Sequence, residues 1–99
     1  MRMMIRFSIP VGPGNHAIAD GRLGPLLGRL LEQLAPEAAH FFIQHGRRTG
    51  LLVCDLVSSD RIPEIAEPLF VGLDAEVDFW PVMTATELQA GLARAAKGA

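Results

Sequence analysis

Apolar residues recur at helical spacing in two stretches of the chain, and segments with strand-like alternation flank each stretch. Both stretches advance by steps of three, one, three, one and three residues: Leu23, Leu26, Leu27, Leu30, Leu31 and Leu34, then Ile62, Ile65, Ala66, Leu69, Phe70 and Leu73. This spacing puts the apolar side chains on one face of an α-helix. We therefore predict two strand–helix–strand units in which a sheet covers each helix.

Four segments are predicted to be strands, over residues 4–9, 39–45, 51–57 and 75–82. Residues 10–14 are predicted to form a loop, and Asn15 to cap a helical segment that is kinked or divided before its strong part at 25–34. The second helix is predicted to start near residues 58–60, with a bend at Pro68. Thr84 and Glu87 have capping-box spacing before a C-terminal helix that runs to about Ala96.

The predicted order is β-α-β-β-α-β with one further helix, which is the ferredoxin-like plan. Right-handed crossovers place both main helices on one face of a four-stranded antiparallel sheet. The predicted class is α+β. Residues 1–99 are expected to form a single domain, because a chain of this length has enough surface to bury for one small core only.

The middle hairpin decides which side chains share a face of the sheet. A four-residue turn at 47–50 would pair Ile43 with Cys54 and keep Asp55 out of the apolar face, where an unpaired charge is costly. The opposite face would then mix apolar and polar residues: Met4, Arg6, Ser8, His40, Phe42, Gln44, Val53, Asp55, Asp78, Trp80 and Val82. It is too apolar for open solvent and too polar for a simple core, so a second sheet or a ligand should cover it.

Composition narrows the function class and predicts self-association. Nine Lys and Arg against eleven Asp and Glu leave no basic face for nucleic acid. The hydrophobic fraction of 49% is high for so short a chain, so we expect part of it to be buried between subunits of a homodimer. No apolar run approaches the ~20 residues of a membrane span. A lone cysteine, Cys54, fits a cytoplasmic protein.

Four segments carry a resemblance to a known group of proteins: PEAAHFF, GRRTGLLVCDL, IPEIAEPLF and AEVDFWPVMTATEL. The chain resembles, from Gly14 to about Leu92, small bacterial proteins of unknown function within the dimeric α/β-barrel superfamily of ferredoxin-like fold. The resemblance implies a dimer in which two sheets face each other and cover the mixed face. Some members of that superfamily are cofactor-independent monooxygenases or isomerases, and others bind haem or have no known ligand. No catalytic motif accompanies the closer group, so it implies no catalytic residue.

The mixed face holds the candidate ligand-binding residues. Arg6, Asp55 and Asp78 come from three strands, and an arginine between two carboxylates would orient a polar ligand or form an ion-pair network at a dimer interface. Phe42 and Trp80 would line an apolar pocket or the apolar part of that interface. His40 would be an acid–base group or a hydrogen-bonded interface residue.

Other candidate groups favour structural roles. The stretch GPGNHA around Gly14 matches a short dinucleotide fingerprint, but the chain is too short for a Rossmann domain and a plain loop is predicted. The histidines lack metal-ligand spacing, and Cys54 should be buried and inert. Arg47 and Arg48 are expected to be solvated in the hairpin turn, with the grip of an anionic ligand as the alternative.

The sequence does not determine a biochemical activity. Our main prediction is a cytoplasmic homodimer without cofactor or metal. If it has a ligand, we expect a small apolar or aromatic molecule on the mixed face, near Arg6, His40, Asp78 and Trp80. One alternative is a cofactor-independent monooxygenase or isomerase with His40 or Asp78 as the proton-transfer group. The other is a pure protein-interaction module, which needs no cavity.

Overall fold

The computed structural model describes residues 1–98 and has an α+β architecture with one four-stranded sheet and four helices. The elements, in chain order, are β1 (Arg2–Ile9), α1 (Val11–Ala19), α2 (Leu23–Leu34), β2 (Ala38–Gln44), β3 (Arg47–Asp55), α3 (Arg61–Leu73), β4 (Glu76–Pro81) and α4 (Ala85–Gly98). The sheet is antiparallel throughout, with strand order β2-β3-β1-β4. The predicted class and the four strands are therefore confirmed.

One face of the sheet packs against α1, α2 and α3, and we call it the covered face. Buried side chains of β1 and β3 form a single core with the buried stripes of α2 and α3: Met3, Ile5, Phe7, Ile9, Leu52, Cys54, Leu30, Leu34, Ile65, Leu69 and Leu73. Cys54 is only 1% exposed, and burial raises the pKa of its thiol. The prediction that this cysteine points into the core is confirmed.

The segment predicted as a loop before Asn15 is helical. α1 begins at Val11, immediately after Pro10, so Asn15 lies inside the helix and does not cap it. Pro13 is tolerated because it is the third residue of α1, where a backbone N–H has no intrahelical acceptor. Gly21, with φ of 70°, lies between α1 and α2, which confirms that the helical stretch before β2 is divided.

The hairpin between β2 and β3 has a two-residue turn, so the predicted turn at 47–50 is wrong. His45 and Gly46 both have positive φ, 53° and 74°, as a type I′ turn requires. Histidine adopts this conformation more readily than most residues, and Arg47 then continues as strand. Ile43 consequently pairs with Arg48 in place of Cys54.

The side-chain faces survive this error in register. The partner of Ile43 moves by six residues, from Cys54 to Arg48, and an even shift leaves every side chain on its predicted face. Asp55 therefore still lies on the uncovered face, which we call the open face. Its cross-strand partner on β1 is Arg2.

Two elements have little cover in the single chain. On β2, Phe41 and Ile43 lie on the covered face but remain 52% and 71% exposed, because no helix packs over this edge strand. α4 begins with the predicted capping box: Thr84 N–H donates to Glu87 Oε1 at 2.8 Å, and Glu87 N–H donates to Thr84 Oγ1 at 3.2 Å. None of the α4 side chains is buried. The radius of gyration, 16.2 Å, exceeds the ~13 Å of a compact domain of this length.

Candidate functional site

Four side chains form a row across the open face, from one edge of the sheet to the other. His40 on β2 pairs with Leu51, Leu51 with Arg6, and Arg6 with Asp78 on β4. Strands are spaced by about 4.8 Å, so His40 and Asp78 lie about 14 Å apart. The two predicted proton-transfer groups therefore do not converge on one reacting atom within a single chain.

Arg6 forms hydrogen bonds with one member of the row, Asp78, and with Gln44 of β2, which lies outside it. Its Nη1 donates to Asp78 Oδ2 at 3.3 Å, while Nε and Nη2 donate to Gln44 Oε1 at 2.8 Å and 2.5 Å. The side chain of Arg6 is mostly buried by these contacts, whereas that of Asp78 is half exposed. The guanidinium therefore already has protein partners on the open face, and it links β2 to β4 over the central strands.

Asp55 does not belong to this cluster, contrary to the prediction. Its carboxylate accepts a hydrogen bond from the Met1 amino group at 2.8 Å, and this contact holds the pKa of Asp55 below its usual value. Asp55 also lies four residues along β3 from the partner of Arg6, a distance of about 13 Å. Arg6 is therefore not held between Asp55 and Asp78 in the way that the sequence predicted.

Phe42 and Trp80 lie on opposite edge strands of the open face. Phe42 is on β2 and pairs with Thr49, whereas Trp80 is on β4 and pairs with Met4. Trp80 remains 41% exposed. The two central strands separate the aromatic rings, so within one chain they do not enclose a common pocket.

A cavity of about 390 Å³ lies on the other side of the sheet, on the covered face, where α2 does not extend over β2. Its wall is almost entirely apolar and comes from α2 and the three strands nearest to it: Phe7, Ile9, Leu23, Leu27, Phe41, Phe42, Ile43, Arg48 and Thr49. The volume lies within the ~300–1,000 Å³ of small-molecule sites in proteins. Phe42 is the one predicted site residue that borders this cavity, although its register position on the edge strand β2 belongs to the open face.

Arg48 is the one charged residue in the wall of the cavity. It lies on the covered face of β3 between Ile9 of β1 and Ile43 of β2. Its Nη2 donates to Asn15 Oδ1 of α1 at 3.0 Å. Its Nη1 is buried and has no hydrogen-bond partner in the part of the chain that the structure describes. Among residues 1–98, no carboxylate lies within 4.0 Å of this guanidinium, so the charge of Arg48 is not compensated by an ion pair.

Gly14 makes room for the Arg48 side chain. A Cβ added at Gly14 would overlap Arg48 Nη1 and lie 3.3 Å from Ile9 Cγ2. Gly14 is buried in α1, one residue before Asn15, so a bare backbone and a side-chain amide together hold the guanidinium against the sheet. The position of Arg48 on β3 is thus set by α1 and the end of β1, which are consecutive elements, and Asn15 of α1 lies 33 residues before Arg48.

The neighbouring arginine has a different environment, although the two are adjacent in the sequence. Arg47 lies on the open face and forms an ion pair with Glu76 of β4, Nη1 to Oε1 at 3.6 Å. Arg48 points to the covered face and has no acidic partner within residues 1–98. The prediction that both arginines lie in a solvated turn is therefore wrong for both, because the turn is at His45 and Gly46.

Sequence reasoning missed Gly14 and Asn15 as site residues, because the segment was predicted to be a plain loop. A signal was present in the order of residues: a glycine and a polar residue follow β1 within six residues, and an arginine pair follows the hairpin turn. Arg48 was considered as an anion-binding residue, but only its register on β3 turns it toward α1 and the cavity.

No group of three or more His, Cys, Asp and Glu side chains is placed to hold a metal ion within residues 1–98. Over the same residues, no helix combines the length and the apolar character that crossing a membrane requires. Comparison of the sequence with protein-family models and with curated proteins found no match.

Proposed function

We propose that this protein binds a small apolar or aromatic molecule in the cavity between α2 and β2. The observation that carries the proposal is an open, nearly apolar cavity of about 390 Å³ beside the core. Exposed apolar walls are costly in water, so a ligand that removes them from solvent gains hydrophobic free energy on binding. The enzyme alternative lacks a comparable arrangement, since His40 and Asp78 lie on opposite edges of the sheet.

The proposal keeps the ligand class predicted from the sequence and moves the site. The predicted residues Arg6, His40, Asp55, Asp78 and Trp80 all lie on the open face, whereas the cavity is on the covered face. We propose that the open face has a different role, as the interface of a homodimer. Its exposed aromatic residues and the unburied apolar side chains of α4, Leu88 and Leu92, support this role.

We further propose that the chain is cytoplasmic, has the ferredoxin-like fold and belongs to the dimeric α/β-barrel superfamily. Two strand–helix–strand units, the first with its helical stretch divided into α1 and α2, and an antiparallel sheet with β1 and β3 in the centre support this assignment. If the open faces of two subunits packed against each other, both would be covered and the cavity on the other side of each sheet would stay accessible. Light scattering that shows a stable monomer at micromolar concentration would refute the dimer.

The binding proposal is tested with a neutral probe, the dye N-phenyl-1-naphthylamine, whose fluorescence rises in an apolar site. We expect saturable binding to the wild-type chain with one site per subunit. Leu23→Trp places an indole in the mouth of the cavity and should weaken the dye at least tenfold, because the space it needs is filled.

Leu51→Trp is the matched control. Leu51 is half-buried on the open face, between His40 and Arg6, so the same substitution there should leave dye binding unchanged. Loss of binding in Leu51→Trp with retention in Leu23→Trp would place the ligand on the open face. Absence of any saturable binding to the wild-type chain would refute the proposed function.

A further inference from the structure

We infer that the cavity selects a ligand with an apolar body and one carboxylate, which Arg48 binds. This inference rests on the proposed function, because it concerns the chemistry of the molecule that fills the same cavity. It depends on a separate observation, the uncompensated charge of Arg48 in an otherwise apolar wall.

The first step concerns the cost of the charge. A cation that is partly withdrawn from water, without an acidic partner, is destabilising unless another group compensates it. Five other arginines, Arg2, Arg6, Arg22, Arg47 and Arg61, each lie within 4.0 Å of a carboxylate, and Arg29 and Arg94 are exposed to water, whereas Arg48 is partly buried. Arg48 has only the neutral amide of Asn15. Its environment therefore favours an anion that the described chain does not supply.

The second step concerns geometry. Contacts with Asn15 and Gly14 hold the guanidinium in place before any ligand arrives, so little side-chain entropy remains to be lost on binding. Because Nη1 is sealed against Gly14, a carboxylate would meet the edge of the planar guanidinium formed by Nε and Nη2, which can donate two parallel hydrogen bonds. Preorganisation and shape both favour a carboxylate over a neutral polar group at this end of the cavity.

The third step concerns the remainder of the ligand. Leu23 and Leu27 of α2 face Phe41 and Ile43 of β2 across the cavity, and none of the four carries a polar side-chain atom. A fully polar anion would leave these walls wet, whereas an alkyl or aryl body would cover them. The occupant is thus an amphipathic monocarboxylate, of which octanoate is a simple example.

The experiment compares three probes with the same octyl chain and different head groups: octanoate, 1-octanol and octylamine. Each is titrated against the dye complex of the wild-type protein to obtain its dissociation constant. We expect octanoate to bind about 10–100 times more tightly than 1-octanol, the range that a charged hydrogen-bonded contact provides. Octylamine should bind most weakly, because its ammonium group meets the guanidinium.

Arg48→Gln and Arg47→Gln form a matched pair from one strand. Arg48→Gln removes the charge from the cavity and should abolish the preference for octanoate without weakening 1-octanol. Arg47→Gln removes a charge from the open face and should change neither probe. Gly14→Ala displaces the Arg48 side chain without removing its charge, and it should weaken octanoate selectively. Circular dichroism of each variant verifies that it folds. If Arg48→Gln does not fold, Arg48→Lys takes its place: it keeps the charge but loses the planar guanidinium, so it should weaken octanoate and leave 1-octanol unchanged.

Two failures have different meanings. Equal affinities for octanoate and 1-octanol in the wild-type protein, or an unchanged octanoate preference in Arg48→Gln, would overturn the inference and leave the apolar site intact. Failure of octanoate, 1-octanol and the dye to bind would overturn the proposed function itself, and this inference with it.

Discussion

α2 and α3 carry the same spacing of apolar residues, yet the protein buries them to different extents. In α3, Ile65, Leu69 and Leu73 are at most 1% exposed. In α2, only Leu30 and Leu34, in its C-terminal half, are buried, and the other leucines of the stripe are partly exposed. An apolar stripe thus specifies which side of a helix faces the protein, but not how much of that side is covered.

The lateral position of α2 explains the difference. α2 approaches α3 so closely that a Cβ at Gly72 would lie 2.9 Å from Leu26 Cδ1. Hydrogen bonds join the two helices near both ends, from Arg22 Nη1 to Gly72 O at 3.2 Å and from Gln33 Nε2 to Glu64 Oε1 at 3.0 Å. α2 is therefore held toward α3, and β2 is left without a helix above it. The cavity is the space that remains.

The largest expected effect comes from shortening one leucine on each helix. Leu69→Ala leaves a void in the closed core and should lower the free energy of unfolding by about 2–5 kcal/mol. Leu27→Ala should lower it by less than half of that, because Leu27 already borders open space. Urea denaturation followed by circular dichroism measures both. Equal losses would mean that the two stripes are equally covered in solution and that the cavity is filled.

A second pair of substitutions tests the packing on the two sides of α2, the side that faces the sheet and the side that faces solvent. Gly50 is the β3 residue over which the Phe7 ring packs, and a Cβ there would collide with that ring. Gly50→Ala should therefore destabilise the fold by about 1–3 kcal/mol. Gly28 lies on the exposed side of α2, and a Cβ added there would meet nothing within 4 Å. Gly28→Ala should therefore stabilise the helix by about 0.5–1 kcal/mol. Destabilisation by Gly28→Ala would show that another surface covers this side.

The smallest expected effect extends the comparison to α4, none of whose side chains is buried. Backbone and side-chain hydrogen bonds from Thr84 lower the pKa of the Glu87 carboxyl below its ordinary value of 4.5. A depressed pKa stabilises the helix above the ordinary value, and the contribution is lost as the pH falls through the lowered pKa. The helicity of α4 should decrease slightly in that acidic range. An NMR pH titration that follows the chemical shift of the Thr84 amide measures this loss. Glu87→Gln should remove the pH-dependent change in that shift.

Local patterns in the sequence predicted the elements that depend on neighbouring residues only. The leucine stripe, the alternation in β1 and the Thr84–Glu87 capping box all appear in the structure as predicted. The division into two faces also survived, since strand alternation has a period of two and the error in register was even. The start of α1, before Asn15, was missed because Gly12, Pro13 and Gly14 outweighed its helical tendency in the pattern.

Less of the candidate site was predictable. The ligand class predicted from the apolar content remains the proposal, and Phe42 lies in the cavity wall as well as among the predicted residues. The cluster of Arg6, Asp55 and Asp78 does not form, because position along the strands separates residues that share a face. Arg48 was weighed from the sequence for its charge, but its acceptor Asn15 and its neighbour Gly14 come from a segment read as loop.

The sequence by itself determined the helices, most of the strands and the face of the sheet on which each side chain lies, because these depend on periods of 3.6 and 2.0 residues. Only the tertiary structure decided where the hairpin turns and where α2 lies. Those features depend on positive φ at His45 and Gly46 and on contacts between residues such as Leu26 and Gly72, which are distant in the sequence. The cavity and the setting of Arg48 follow from that placement, so no local pattern contains them.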